Sequence, residues 1–426
     1  PVIRPCLLAS LLLLCAPVLP AQELLEKIDD ALTLSTADGR FRADLSGLLD
    51  LELYAPDAPA MGLLNTDDDL FFNPRLTLFL DLQATEHLRA HAQMRVDRGF
   101  DPGFSPDGQA RLDEYFLEWK PFDESWINFR LGKFATAFGA WAQRRLSWDN
   151  PFVTAPMAYN DMLPVTDETL VPMGGIAGRR FKPDNRDTWL PIVWGPSYAT
   201  GASVFGQVGL VDYVFEVKNA ALSSAPRNWD ALQGGWEGTT YTGRVGLRPA
   251  PEWNLGFSYS HGPYLTDAST IPPIIVIIGS PFLDEGKRDY NQTTLGLDAS
   301  WTHGPWQVWA EAMTSRFETP NAGDIGFVGS SIANRAVAVR VWSGFVEIKR
   351  KLGSQWWVAA RWNQSWFEDL PGTDTGWDND GWRADLSVGY RFSRHLQAKL
   401  QYSMAGREDA GREGHHLLAA QVTFKF

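Results

Sequence analysis

The sequence predicts an all-β fold: a closed, antiparallel transmembrane β-barrel of about sixteen strands. Three observations carry that prediction. From about residue 41 onward apolar residues recur at every second position, the period of a strand with two unlike faces. The connections between these runs alternate between tight turns and long loops, as in a barrel with one short-turn rim and one long-loop rim. Aromatic residues, abundant at Trp 19, Tyr 11 and Phe 24, gather at the ends of the runs (Trp119, Trp126, Trp253, Tyr259, Trp301, Trp306, Trp356, Trp362, Tyr390, Tyr402), where the girdles of a membrane barrel lie.

The opening segment, PVIRPCLLASLLLLCAPVLPAQ, has a basic residue at Arg4, an apolar stretch from Cys6 to about Val18 and a small residue at Ala21. It reads as a secretory signal peptide over residues 1–21, too short to span a bilayer as a helix. A lipoprotein reading would use Cys15, but Leu14 before it is bulkier than that signal requires. Both cysteines fall in this segment, so residues 22–426 hold no thiol for a disulfide, a metal site or a nucleophile. Residues 22–40 form a short periplasmic segment. Within it Leu24, Leu25, Ile28 and Leu32 share helical spacing over 23–34.

Residues 41–426 are the barrel. Strands are expected at 42–54, 71–84, 88–98, 111–120, 126–135, 197–208, 210–219, 239–248, 253–262, 292–302, 306–317, 337–351, 355–366, 382–393, 396–405 and 416–426. The pattern is clear in LTLFLDLQ, where Leu76, Leu78, Leu80 and Leu82 oppose Thr77, Phe79, Asp81 and Gln83. The turns ATEH, PFDES, PAPEW, THGP, LGSQ and SRH are short, whereas 55–70, 99–110, 136–196, 220–238, 263–291, 318–336, 367–381 and 406–415 are long. A soluble β-sandwich would also alternate. It would not need apolar spans of crossing length ending in aromatics.

The formal charge of −13 argues against a nucleic-acid partner, which demands a basic face. No Gly-x-Ser-x-Gly elbow, HExxH pair, EF-hand spacing or nucleotide-binding glycine motif is present, so catalysis, a cofactor and a metal site are not expected. His415 and His416 flank a long loop, where such a pair is ordinarily inert.

The longest connection begins in LGKFATAFGAWAQRRLSWDNPFV, residues 131–153. This stretch resembles outer-membrane porins of Gram-negative bacteria, in which a strand ending in Leu-Gly-Lys or Leu-Gly-Arg is followed by Phe-Gly and an Asp-Asn-Pro-Phe-like run. The pattern is nearest to the broad class of phosphate-selective and general diffusion porins. The resemblance implies residence in outer-membrane lipid, a third loop folded into the barrel, and passive diffusion of small hydrophilic solutes or ions. It also implies a homotrimer, and recognition by the assembly machinery through the final strand ending in Phe426. A barrel of sixteen strands is too wide for side chains to fill, so an inserted loop is needed to make a sieve.

Strand parity nominates lining residues: Arg95, Glu114, Glu118, Arg130, Arg244, Asp298, Glu311, Arg361 and Arg383 on the wall, joined by Lys133, Arg144, Arg145 and Asp149 on the way into the loop. Arg144 and Arg145 are the leading candidates, with Arg130 and Glu114 facing or beside them. Their bland alternative is an ion pair that only pins the loop. Carboxylates interleave with the arginines throughout, unlike the cationic ladders of phosphate-selective porins. Two other functions stay open: a carbohydrate channel with a stacking track of Trp141, Trp148, Trp309 and Trp357, and a non-conducting adhesion or scaffold barrel that uses only its loops. The acidic runs at 66–69, 369–380 and 407–413 read as solvated rims or divalent-cation bridges to lipid. The apolar run TIPPIIVIIGSPF, 270–282, is expected to meet a neighbouring subunit or loop.

Overall fold

The computed structural model describes residues 32–36, 40–56, 70–98, 107–167, 190–225, 238–265, 290–319, 337–371, 374, 376–407 and 414–426. The expected signal peptide, most of the expected helix 23–34 and the apolar run 270–282 lie outside these residues.

Within them one antiparallel sheet is built from β1 (Thr33–Ser35), β2 (Arg42–Pro56), β3 (Phe71–Gln83), β4 (Leu88–Asp97), β5 (Gln109–Trp119), β6 (Asn128–Phe134), β7 (Ala199–Val208), β8 (Val211–Lys218) and β9 (Thr240–Leu247). It continues through β10 (Trp253–Pro263), β11 (Asn291–His303), β12 (Trp306–Thr319), β13 (Val337–Leu352), β14 (Trp356–Phe367), β15 (Gly381–Arg391), β16 (Leu396–Arg407) and β17 (His415–Lys425). Each strand from β2 onward pairs with the next. β17 then returns to β2, from Leu417 opposite Pro56 to Lys425 opposite Leu48. The sixteen strands β2–β17 therefore close a ring, leaving no edge for a bilayer to strand without hydrogen-bond partners.

Parity sorts the two faces as the sequence does. On β17, Leu417, Ala419, Gln421 and Thr423 are buried inward, while Phe424 is exposed outward. Leu131, Leu297 and Leu386 stand on the outer surface at 63%, 62% and 60% exposure, which is the surface lipid covers. Short hairpins follow β3, β5, β7, β9, β11, β13 and β15. Gly209 (φ 58°), Gly304 (φ 55°) and Gly353 (φ 85°) take left-handed turn positions in three of them, which glycine occupies without steric cost.

The seam has two occupants. Phe426 and Gly47 exchange backbone hydrogen bonds of 3.1 and 2.8 Å, and the Phe426 ring lies where a Cβ on Gly47 would sit, 2.4 Å from its nearest ring atom. Just beyond, Leu45 donates to Leu32 O at 3.0 Å, and Thr33 and Ser35 pair with Asp44 and Arg42. β1 thus takes up the same edge of β2 where β17 leaves off. This corrects the expected helix 23–34 at its end: Thr33 and Leu34 are strand, because the unfilled edge of β2 offers backbone partners that a lone helical turn lacks.

A loop laid across the barrel as the candidate functional site

The described parts of the long connection after β6, residues 135–167 and 190–198, fold inward, and the wall holds their backbone by side chains. Glu216 of β8 accepts from Ala137 N at 3.0 Å, and Ser258 of β10 accepts from Gly139 N at 3.1 Å. Glu311 of β12 accepts from Ala140 N and Trp141 N at 3.1 and 3.3 Å, and from the Tyr159 hydroxyl. Farther on, Lys399 donates to the carbonyls of Ser147, Asn150 and Phe152 at 2.7, 3.0 and 3.2 Å. Gln401 accepts from Val153 N and Thr154 N at 2.7 and 3.1 Å. Asn363 accepts from Met157 N at 3.1 Å, at the start of the short helix α1 (Met157–Asn160). A loop without its own ladder needs such partners for buried backbone groups.

The motif that carries the porin resemblance has a local physical meaning. Gly139 has φ 70°, and a Cβ there would come within 2.2 Å of a Glu311 carboxylate oxygen and 2.5 Å of the Tyr159 hydroxyl. Only glycine lets the loop lie this close to Glu311. Asn150 Oδ1 accepts from Phe152 N at 3.0 Å, an Asx turn that sends the buried Phe152 ring beneath the Arg361 guanidinium, 4.3 Å away.

Arg144 ends a single 3-10 turn, Ala142–Arg144, and Arg145 follows it. The two side chains part company. Arg145 pairs with Glu114 on β5 and donates to Tyr198 Oη at 2.9 Å and to Gln93 Oε1 at 3.2 Å. Arg144 pairs with Glu347 on β13 and lies 4.3 Å from the Trp309 ring. β5 and β13 stand half a circuit apart in the sixteen-strand ring. Adjacent arginines therefore tie the turn to opposite walls. Burial opposes the charge on Arg145, but Tyr198 and Glu114 outweigh it and hold its pKa above the ordinary value. Burial first of all pushes Tyr198 up to about 12, against the pull of Arg145, so the phenol stays a neutral partner.

The other nominated residues are largely paired. Arg95 meets Asp113 at 2.9 Å and Asp97 at 3.5 Å. Arg130 meets Glu118 at 3.0 Å, not the arginine pair, and lies over Phe116, Phe134 and Phe205. Lys133 donates to Leu112 O at 2.8 Å. Arg244 joins Asp298 at 2.7 Å and Asp212 at 3.1 Å. Arg361 links Glu347 and Asp385 at 3.1 and 2.7 Å, and also donates to Thr154 O and Ala155 O. Arg383 joins Asp385 at 3.1 Å and holds Ala155 O. Asp149 remains exposed. It lines a cavity of about 550 Å³ between the loop and strands β2–β8, together with Phe79, His91, Glu114, Arg130 and Trp148.

Several contributors escaped the sequence reading. Asp50 and Glu52 on β2 clasp Arg75 on β3, and Arg111 joins Asp97 and Asp113. Parity alone would have placed Asp50, Glu52 and Arg75 inward. Asp113 is hidden by a bulge, where the β4–β5 register shifts between Gln93 and Met94 and turns both Asp113 and Glu114 inward. The tryptophans proposed as a sugar track are dispersed: Trp141 is buried at 2% in an apolar cluster and Trp357 is buried at 6%, while Trp309 sits under Arg144. Among the described residues no group of three or more His, Cys, Asp or Glu is arranged to hold a metal ion.

No protein-family profile matches this chain, and no curated protein sequence matches it. Its three-dimensional likeness is extensive. The outer membrane channel DcaP of Acinetobacter baumannii superposes with a TM-score of 0.56 at 10% identity, over 92% of this chain and 99% of that one. An anion-selective porin from Comamonas acidovorans gives 0.53 at 10% identity over 91% and 100%. OmpT, an outer membrane protein of Vibrio cholerae, in its trimer form gives 0.52 at 11% identity over 91% and 100%. The chain has the porin fold. At such identities the porin fold is what is shared, and it is the fold of Gram-negative outer-membrane barrels.

Proposed function

We propose that this protein is an outer-membrane porin through which small hydrophilic solutes or ions diffuse passively, with the loop after β6 as its constriction. One observation carries the proposal: the turn at Ala142–Arg145 is tied to opposite walls by Arg144–Glu347 and Arg145–Glu114, which narrows a barrel that its own side chains cannot fill. Its neighbours in fold include a channel and an anion-selective porin, so the reading is of a conduit and not a catalyst. Both arginines are spent on carboxylates. They act as ties that set the bore, while the charge a solute meets comes from the wall.

The same reading includes an oligomer. The outer faces of β2–β4 carry Leu49, Leu51, Leu78, Ala90, Ala92 and Met94, with Phe72 at one end, and lack the outward Trp and Tyr that β10, β14 and β16 display through Trp253, Trp356 and Tyr402. Girdle residues mark contact with lipid headgroups, so a sector without them suits a second copy. The trimer form of the Vibrio cholerae protein supports three copies.

Single-channel recording in planar bilayers tests the function. Discrete conductance steps are expected from the purified protein, and larger steps from the double variant Arg144→Ala/Arg145→Ala, whose turn is released from both walls. A protein that inserts and never conducts refutes the porin reading and leaves the scaffold barrel. Unchanged step size in a folded double variant refutes the constriction.

A further inference from the structure

One group of inward cations differs from the paired arginines of the wall, and from Lys399, whose ammonium is taken up by three loop carbonyls. Arg75, Arg95, Arg111, Arg130, Arg244 and Arg361 each meet a carboxylate. Lys349 and Lys351 at the short-turn end of β13, Arg391 at the end of β15 and Lys425 at the end of β17 do not: among the described residues none has an acidic side chain within 4.0 Å. All four point inward by parity, in line with the buried Phe345 and Glu347, Asp385 and Ser387, and Gln421 and Thr423. Parity brings them to one sector of the rim.

These cations rest on indole faces. Arg391 lies 4.7 Å and Lys425 5.5 Å from the Trp148 ring, and Lys349 lies 5.1 Å from Trp357. Trp357 reaches its position because Gly389 opposite it has no side chain: a Cβ there would be 1.9 Å from the ring. Trp148 comes from the lower edge of the inserted loop and lines the open cavity together with Lys425. Asp149 is exposed beside Trp148. At Lys349 three cations, Arg391, Lys351 and Arg144, are felt against Asp149.

Exposed like charges held together by geometry repel unless an anion joins them. The wall elsewhere answers its arginines with Asp and Glu and its buried Lys399 with loop carbonyls. Here flat aromatic surfaces position the cations and leave most of their hydrogen-bond donors unspent. We propose that Lys349, Arg391 and Lys425, seated on Trp148 and Trp357, form an anion subsite on the short-turn side of the loop, binding a small solute through a carboxylate or phosphate group. Lys351, exposed at the lip, guides the anion toward it. The site rests on the channel reading for its role in transport, not for its existence.

Two measurements keep those readings separate. In bilayers, inorganic phosphate and succinate added on the short-turn side are expected to block the current at lower concentration than on the long-loop side. Lys349→Gln/Arg391→Gln/Lys425→Gln weakens the block by at least about tenfold, the change expected from losing even one charge-assisted contact. The phosphate and succinate arms tell which anionic group is preferred. In detergent, quenching or enhancement of tryptophan emission by the same anions reads binding without requiring conduction. The single variant Lys349→Gln, checked for folding by heat-dependent electrophoretic mobility, serves if the triple variant does not assemble. An anion response in detergent without conductance preserves the subsite and defeats the porin. Conductance with equal block in wild type and folded variant, or no anion response in either assay, overturns the subsite.

Discussion

The lumen has two unlike walls. On β2–β5 the inward residues form a salt-bridged lattice of Asp50, Glu52, Arg75, Arg95, Asp97, Arg111 and Asp113. On the far side Met313 and Phe317 of β12, Val339, Val341 and Phe345 of β13 and Phe367 of β14 join Phe138, Trp141, Tyr159 and Leu163 of the loop in one buried apolar cluster. A single chain thus adds hydrophobic burial to the polar ties that fix its loop against one wall and keeps the β2–β5 wall polar. The difference teaches that one interior can anchor its loop largely by apolar packing on one side while holding a charged lattice on the other.

Mutations on the two walls should separate those roles. The largest effect is expected for Arg75→Ala, which leaves buried Asp50 and Glu52 facing each other without their cation; the loss is about 3–5 kcal/mol, seen as unfolding at lower denaturant, and any folded fraction should reverse its current nearer the cation limit. Phe317→Ala, on the apolar wall, costs a similar or smaller amount, about 3–5 kcal/mol before local collapse. It should leave the reversal potential in place; a shift as large as that from Arg75→Ala would dissolve the distinction. Smallest is Glu311→Gln, which keeps one acceptor for the loop amides but loses charge-assisted strength, about 1–3 kcal/mol. Its signature is noisier open-channel current, from a loop held less tightly; a quiet trace would show that the apolar cluster holds the loop alone.

The barrel was legible because every strand repeats the same two-residue signal, and errors at one strand do not propagate to the next. The turns were legible for the same reason: Gly209, Gly304 and Gly353 punctuate hairpins whose lengths are visible in the chain. For the candidate site the sequence offers residues but not their partners. Arg144 and Arg145 stand side by side in sequence, and nothing local says that one turns to Glu347 and the other to Glu114, because that choice depends on how far the loop crosses the lumen. Asp113 was lost to a bulge, since one extra residue inverts parity for the remainder of a strand. The role of Glu311 was hidden for a different reason: its partners are backbone amides of the loop, and backbone groups carry no sequence label.

The shared edge of β2 bears on how the ring keeps its alignment. A closing strand with alternating faces has one conspicuous error available to it, a slip by two residues, which restores parity and misplaces only its ends. In this chain that slide toward the short-turn rim is blocked, because Leu32 to Ser35 already occupy the next positions along β2. β1 is therefore a doorstop for the final strand: three residues whose hydrogen bonds matter less than the place they deny to Phe426.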